Sequence, residues 1–290
     1  MKHAQLAAGC ALLLLATASC DDGAPPPAAP AGPPAAPEPS TVRMVGTGTL
    51  TPLAALLAAA WSARNGEPKI IVEPSVGSSG GIRAAIDGAV DLGLVARPLK
   101  ESETKLGLVL LPIARDAVVI AAHPSVGVDA VSSEMLVALF SGARTTFDDG
   151  SPATVFLRDR EDTAHSSIER FVPGLRAARE AAYDARRFRV LLHDDAMGES
   201  LSITPGAVGV YSLGALVAGH LPLKVFALDG VRPSLQNIEN GTWKATRDLG
   251  FVARTDRLAR VRGFLTFVAS PEGAAIARDN SYLPIAAAAP

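Results

Sequence analysis

Ser78, Ser79, Gly80 and Gly81 open the stretch of this chain best equipped to hold an anion. Two hydroxyls and two unhindered backbones stand immediately before a helix expected to start near Ile82, whose N-terminus adds unpaired N–H groups and the positive end of its dipole. A second turn of similar make, Gly46-Thr47-Gly48-Thr49, lies between an apolar Val42–Val45 and a run that places Leu53, Leu56, Leu57 and Trp61 on one stripe. A third follows Thr154–Leu157, where Arg158 and Arg160 bring cationic charge, and the planar guanidinium suits two-point contact with an oxyanion. Catalytic chemistry has no comparable set of residues. There is no Gly-x-Ser-x-Gly elbow and no His-Glu-x-x-His pair, so no nucleophile and no catalytic metal is expected. His193, Asp194 and Asp195 are contiguous; adjacent residues rarely converge on one ion, and Asp near a helix start is the simpler reading. The Gly-Thr-Gly-Thr turn lacks the third glycine of a dinucleotide fingerprint and the Gly-Lys of a P-loop, so no nucleotide cofactor is expected either.

The elements that must position these residues follow from periodicity. Val42–Val45, Ile70–Val72 and the alternating Val90, Leu92 and Leu94 read as strands, with helices between them closed by Asn65-Gly66 and Asp87-Gly88. That β-α-β-α-β order predicts a parallel sheet with its polar turns together at the carboxyl ends of the strands. Further on, Ser132 is placed to cap a helix carrying Met135, Leu136, Leu139 and Phe140 and stopped by Ser141-Gly142. Ser166-x-x-Glu169 has the form of a capping box. His123, before Pro124, reads as a turn residue. Arg176, Arg179, Glu180, Arg186 and Arg187 read as a solvated helix face.

The first residues belong to targeting rather than to the fold. Lys2 and His3 precede an apolar Leu6–Ala18, too short to span a bilayer, and Thr17-Ala18-Ser19-Cys20 follows. This resembles a bacterial lipoprotein signal over residues 1–19, which implies a lipid on Cys20. Residues 20–40, with Gly23–Ser40 rich in Pro and Ala, form a semi-rigid tether that spaces a domain from a membrane. The chain's two cysteines are Cys10 and Cys20, so residues 41–290 can form neither a disulfide nor a Cys-based metal site. With 48% hydrophobic residues, 5% aromatic and a formal charge of −2 over all 290 residues, the chain reads as a packed globular core, one large α/β domain or two modest lobes, and nucleic-acid binding is not expected.

Order along the chain then points to one family. VGTGTLTPL, VGSSGGIRAAIDGAVDLGLVARPLKESE, IARDAVVIAAHPSVGV, LVALFSGARTTF, AVGVYSLGAL and FLTFVASPEGAAIARDNSYLPI succeed one another as in the phosphate-binding proteins of bacterial phosphate ABC transporters, which Val42–Ile285 resembles over nearly its whole length. The resemblance implies an α/β, two-lobed type II periplasmic-binding-protein-like fold with crossing hinge strands. Lobe 1 is expected at 42–116 and 225–285 and lobe 2 at 117–224, with Val118–Ala122 and Val225–Leu228 as the crossings. It also implies a non-enzymatic monomer, lipid-anchored on the periplasmic side of the cell membrane, that binds a small oxyanion such as phosphate and passes it to an ABC permease. Taken with the three strand–turn–helix units, it assigns the ligand to Thr49, Leu50, Ser78, Ser79, Arg158 and Thr163.

Two departures from the family pattern matter. Where relatives read Arg-x-x-x-Ser-Gly-Thr-Arg, this chain has Arg158-Asp159-Arg160-Glu161-Asp162-Thr163-Ala164-His165. Where relatives place a hydroxyl or carboxylate after the Asp-x-Gly segment, it has Val95-Ala96. A buried carboxylate accepts the proton of monohydrogen phosphate and repels sulfate. Unless Glu161 or Asp162 takes that place, phosphate and sulfate should be poorly separated. The same departures fit a second reading, a site-degenerate lipoprotein with a sensory or interaction role.

Overall fold

In the part of the chain that this computed structural model describes, residues 41–65 and 68–285, apolar strands and amphipathic helices begin alternating at once. Strand β1 (Thr41–Gly46) is followed by α1 (Thr51–Asn65), β2 (Lys69–Val72), α2 (Gly77–Ile86) and β3 (Leu92–Val95). β2 and β3 flank β1, both parallel to it, in the expected β-α-β-α-β arrangement. α1 and the turn before it put Leu50, Leu53 and Leu57 out of water in one core with Met44, Leu92 and Leu94, each such side chain contributing about 1.5–3 kcal/mol of burial. α2 starts earlier than expected, at Gly77 rather than near Ile82. Ser78, Ser79, Gly80 and Gly81 are therefore its first turn and not a loop before it.

After the short α3 (Glu101–Thr104) comes β4 (Leu108–Ala122), a strand of 15 residues that carries the sheet from one lobe into the next. The second lobe contains β5 (Ala130–Val131), α4 (Ser133–Ser141), β6 (Thr154–Arg158), α5 (Thr163–Glu169), α6 (Leu175–Asp184), β7 (Arg189–Leu191), α7 (Asp194–Ile203), β8 (Ala207–Ser212), α8 (Leu213–Ala218), β9 (Lys224–Val225), β10 (Ala227–Leu228) and α9 (Leu235–Glu239). Ser132 caps α4 by accepting from the Met135 N–H, and Gly142, at φ 75°, ends it, both as expected. α5 departs from expectation. Its cap is Asp162, accepting from the Ala164 N–H, while Ser166 lies inside the helix and Glu169 pairs with the buried Arg179. Arg179 is correspondingly not part of a solvated face; its guanidinium also stacks over the Tyr183 ring.

β11 (Thr246–Arg254), α10 (Leu258–Val268), α11 (Pro271–Asp279) and β12 (Leu283–Pro284) complete the described chain. The main sheet runs β2-β1-β3-β11-β4-β8-β6-β7, with β11 antiparallel to both β3 and β4. The first half of β4 pairs with β11 and the second, Val118–Ala122, with β8. Val118–Ala122 is thus a buried crossing, as expected. The other crossing is not Val225–Leu228. β9 pairs with Ala121 and Ala122, β10 with β5, and Phe226, Leu228, Ile238, Trp243 and Ala245 all pack into the second lobe's core. The chain returns at β11 instead, where Thr246 sits opposite Ala117. Short apolar runs look alike in sequence; the edge-on packing of Phe226 against Phe147 decides which lobe this one serves.

Candidate functional site

Three strand ends meet between the lobes. β1 delivers the turn that holds Thr49 at 0% exposure, while β6 delivers Arg158 and leads into the α5 cap. β11, running back between β3 and β4, carries Arg247 to the same point. The turn before α1 brings Thr49 close because Gly46 lies against Leu94 with no room for a side chain: an added Cβ would meet the Leu94 carbonyl oxygen at 2.0 Å.

The two guanidiniums are the dominant charges. Arg158 donates through Nε at 3.0 Å and Nη2 at 2.8 Å to Asp162 Oδ2, and through Nη1 at 3.3 Å to the Leu191 carbonyl. Its Nη2 also lies 3.6 Å from Asp194 Oδ2. Arg247 donates through Nη2 to Thr49 Oγ1 at 2.7 Å and through Nη1 to Thr163 Oγ1 at 3.3 Å and Asp162 Oδ1 at 3.5 Å. Behind it, Arg247 Nε and Asp116 Oδ2 face each other at 3.6 Å, neither making a hydrogen bond. Thr49 Oγ1 in turn donates to Asp194 Oδ1 at 3.3 Å.

Burial and charge compete at the carboxylates. For Asp162, burial is outweighed by Arg247 and Arg158, together with the Ala164 N–H, and the carboxyl is held well below the usual range. For Asp116, wholly buried, desolvation prevails over Arg247 and raises the pKa to about 6. His165 is pushed down to about 3, mainly by burial and next by Arg179. It is a neutral acceptor for the Arg158 backbone N–H, at Nε2 and 3.2 Å, and so fixes the strand end that presents Arg158.

Hydroxyls complete the cleft. Ser78 Oγ accepts from the Ala96 N–H at 3.0 Å, and Thr163 Oγ1 donates to the Ala96 carbonyl at 3.1 Å, tying α5 of one lobe to β3's end in the other. Ser79 is more exposed and accepts weakly from Arg97, whose guanidinium is held by Glu103. Around these residues lies a cavity of about 470 Å³ lined by Ser78, Ser79, Arg158, Asp162, Thr163 and Arg247 among others. Across the Thr163–Ala96 contact lies a larger one, of about 710 Å³, whose lining includes Arg97, Arg115, Arg170, Arg176, Lys244 and Arg247.

Of the residues expected at the ligand, Thr49, Ser78, Ser79, Arg158 and Thr163 are brought together and Leu50 is not: its side chain is fully buried in the first lobe's core, and its N–H donates to the Thr47 carbonyl. Cys20 lies outside the described residues. Sequence reading missed Arg247, although an arginine among the apolar residues of Ala245–Ala253 was the available signal. It also took Asp194 only as a helix start. Asp194 is that, at the first position of α7, but its carboxylate faces inward to Thr49 and Arg158. Asp162 does enter the cleft, while Glu161 stays exposed at its edge.

A family model described as a PBP superfamily domain matches residues 31–272. Protein SphX of Synechococcus elongatus is 23% identical over 267 residues, covering 84% of this chain and 77% of its own. Phosphate-binding protein PstS 2 of Streptococcus agalactiae is 28% identical over 171 residues, 56% of this chain and 57% of its own. Among solved structures, a phosphate ABC transporter substrate-binding protein from Clostridium perfringens, with bound phosphate, superposes with a TM-score of 0.70 at 20% identity, over 84% of this chain and 99% of that one.

Proposed function

This chain belongs to the PBP superfamily, and on that footing we propose that it is an extracytoplasmic solute-binding protein that closes its lobes on a small oxyanion of the phosphate class and delivers it to an ABC permease. One observation carries the reading. Two buried arginines from different lobes, Arg158 and Arg247, converge with the hydroxyls of Ser78 and Thr163 on one inter-lobe cavity beside the N-terminus of α2, Arg247 also donating to the buried Thr49 hydroxyl behind it. Cations with fixed donors in a nearly dry cleft suit a tetrahedral anion, because each N–H gains more from a charged acceptor than from water. Relatives named for phosphate binding support the choice of anion.

The anchor and location belong to the same proposal: Cys20 carries lipid, residues 20–40 act as tether, and the domain works as a monomer on the periplasmic side of the cell membrane. Among the described residues no helix is long and apolar enough to cross a membrane. Cys20→Ala is expected to shift the protein into the soluble fraction or stop its processing, as read by fractionation and mass spectrometry of the N-terminus; an unmodified mature N-terminus elsewhere, for instance after Ala18, would refute it.

The binding claim is tested by thermal-shift and calorimetric titration with phosphate, sulfate and arsenate, since a ligand of the folded state raises its stability by mass action. Binding of none of them would leave the second reading, a sensory or interaction protein on a binding fold. That reading has an observation of its own: Asp116, Asp162 and Asp194 outnumber the two buried arginines.

A further inference from the structure

Asp162 takes the charged donors that an oxyanion in this cleft would need. Its Oδ2 takes two N–H groups of Arg158, at 3.0 and 2.8 Å, and its Oδ1 takes the Ala164 backbone N–H at 2.8 Å and lies 3.5 Å from Arg247 Nη1. A carboxylate held by two guanidiniums and a backbone N–H has the same recognition chemistry as a bound phosphate or sulfate. Two hydroxyl donors are taken as well: Thr49 Oγ1 by Asp194, and Thr163 Oγ1 by the Ala96 carbonyl.

We propose that Asp162 is the specificity-determining residue of the cleft, a built-in carboxylate seated where the anion goes, so that an external oxyanion binds only by exchanging with it. The inference rests on the oxyanion-binding reading and adds how this site differs from one that accepts the anion directly.

Three features make exchange the physical requirement. Charge is the first. Arg158 and Arg247 stand against Asp116, Asp162 and Asp194, a formal surplus of one negative charge. A dianion placed beside all three carboxylates is opposed at short range, and moving Asp162 away lowers that opposition. Closure is the second. Thr163 to Ala96, Arg247 to Asp162 and Thr49 to Asp194 all join residues of opposite lobes. Lobe closure is therefore held by the chain's own groups. The third is position. Asp162 ends the loop Asp159–Asp162, whose Asp159 and Glu161 are exposed, so its carboxylate can leave by a local rearrangement of that loop. Apparent affinity is then reduced by the fraction of molecules in which the seat is vacant.

The test titrates inorganic phosphate into the full chain and into D162S and D162N. Serine and asparagine both remain competent helix caps, so α5 keeps its start while the competing charge is lost. The expected result is phosphate binding about tenfold or more tighter in both variants. Small-angle scattering without phosphate should show wild type compact, and D162S expanded until phosphate is added. If wild type binds phosphate as tightly as the variants, or is as expanded as D162S without it, Asp162 is no occupant. If wild type binds tightly and both variants lose binding, Asp162 belongs to the ligand's own shell: the proposal is overturned and the oxyanion reading stands. If none of the three proteins binds phosphate, both fall together.

Discussion

At the scale of single residues, the cleft is two arginines whose charges are already answered. That pairing makes their removal unequal. Arg158 is 5% exposed at its side chain and lies against both Asp162 and Asp194, so Arg158→Ala strands two carboxylates away from water. It should lower stability by about 3–5 kcal/mol as well as abolish anion binding, the first read by urea unfolding and the second by calorimetry. Arg247→Gln keeps a donor for Thr49 and removes the charge. Its expected signature is weaker phosphate binding by roughly 1.5–3 kcal/mol in a fold that survives. Binding unchanged in Arg247→Gln would remove Arg247 from the site.

At the scale of elements, the first turn of α2 must sit almost on the sheet for Ser78 to reach Ala96. Gly81 allows this: a Cβ there would come within 2.7 Å of the Val45 carbonyl oxygen and 2.8 Å of Gly46 Cα. Gly81→Ala therefore has to lift α2 from β1 and β3, at about 1–3 kcal/mol, and carry Ser78 out of the cleft with it. Gly80 is the control. A Cβ there meets only the Val76 side chain, which is exposed and able to move, and Ala is the better helix former. Urea midpoints of the two variants should differ in the order Gly81→Ala well below Gly80→Ala; equal midpoints would show that the close approach of helix and sheet is not what holds α2.

For the whole molecule, pH enters through two buried groups of opposite sign. His165 has its pKa lowered from 6.5 to about 3, so between those values the unfolded chain binds a proton that the folded chain does not, and stability falls as pH drops from 6.5 toward 3. Asp116 is raised from 3.8 to about 6; over that window the folded chain holds the extra proton, and its contribution grows as pH falls. The two partly offset between about pH 4 and 6, with His165 covering the wider range. His165→Gln, which keeps an acceptor for the Arg158 N–H, should flatten or reverse the acid limb of stability against pH, measured as denaturant midpoints from pH 6.5 to 4. A limb as steep as wild type's would mean that His165 takes up its proton in the folded state.

Local chemistry carried much of this in the sequence alone. The alternation of apolar runs with polar turns marked β1, β2, β3 and β6 and the helices after β1 and β2, since strand and helix periods are set by neighbours a few residues apart. Capping marked Ser132 and Gly142 for the same reason, and the three strand–turn–helix units placed Thr49, Ser78, Ser79, Arg158 and Thr163 near one point. What only the tertiary structure decided depends on groups far apart in the chain. Arg247 meets Thr49 across 198 positions, and Asp194 meets it across 145. An arginine in a largely apolar strand hints at burial, but which distant groups it will meet is not set by its neighbours. Leu50 was placed at the ligand with the rest of its strand–turn–helix unit, and packing turned its side chain into the core. Val225–Leu228 has the composition of a crossing strand, yet Phe226 finds its partner in Phe147, so the lobes divide at β11. Asp162 shows the limit most clearly: its identity was legible as a departure from the family's pattern, but that its carboxylate sits between two arginines follows only from the meeting of the lobes.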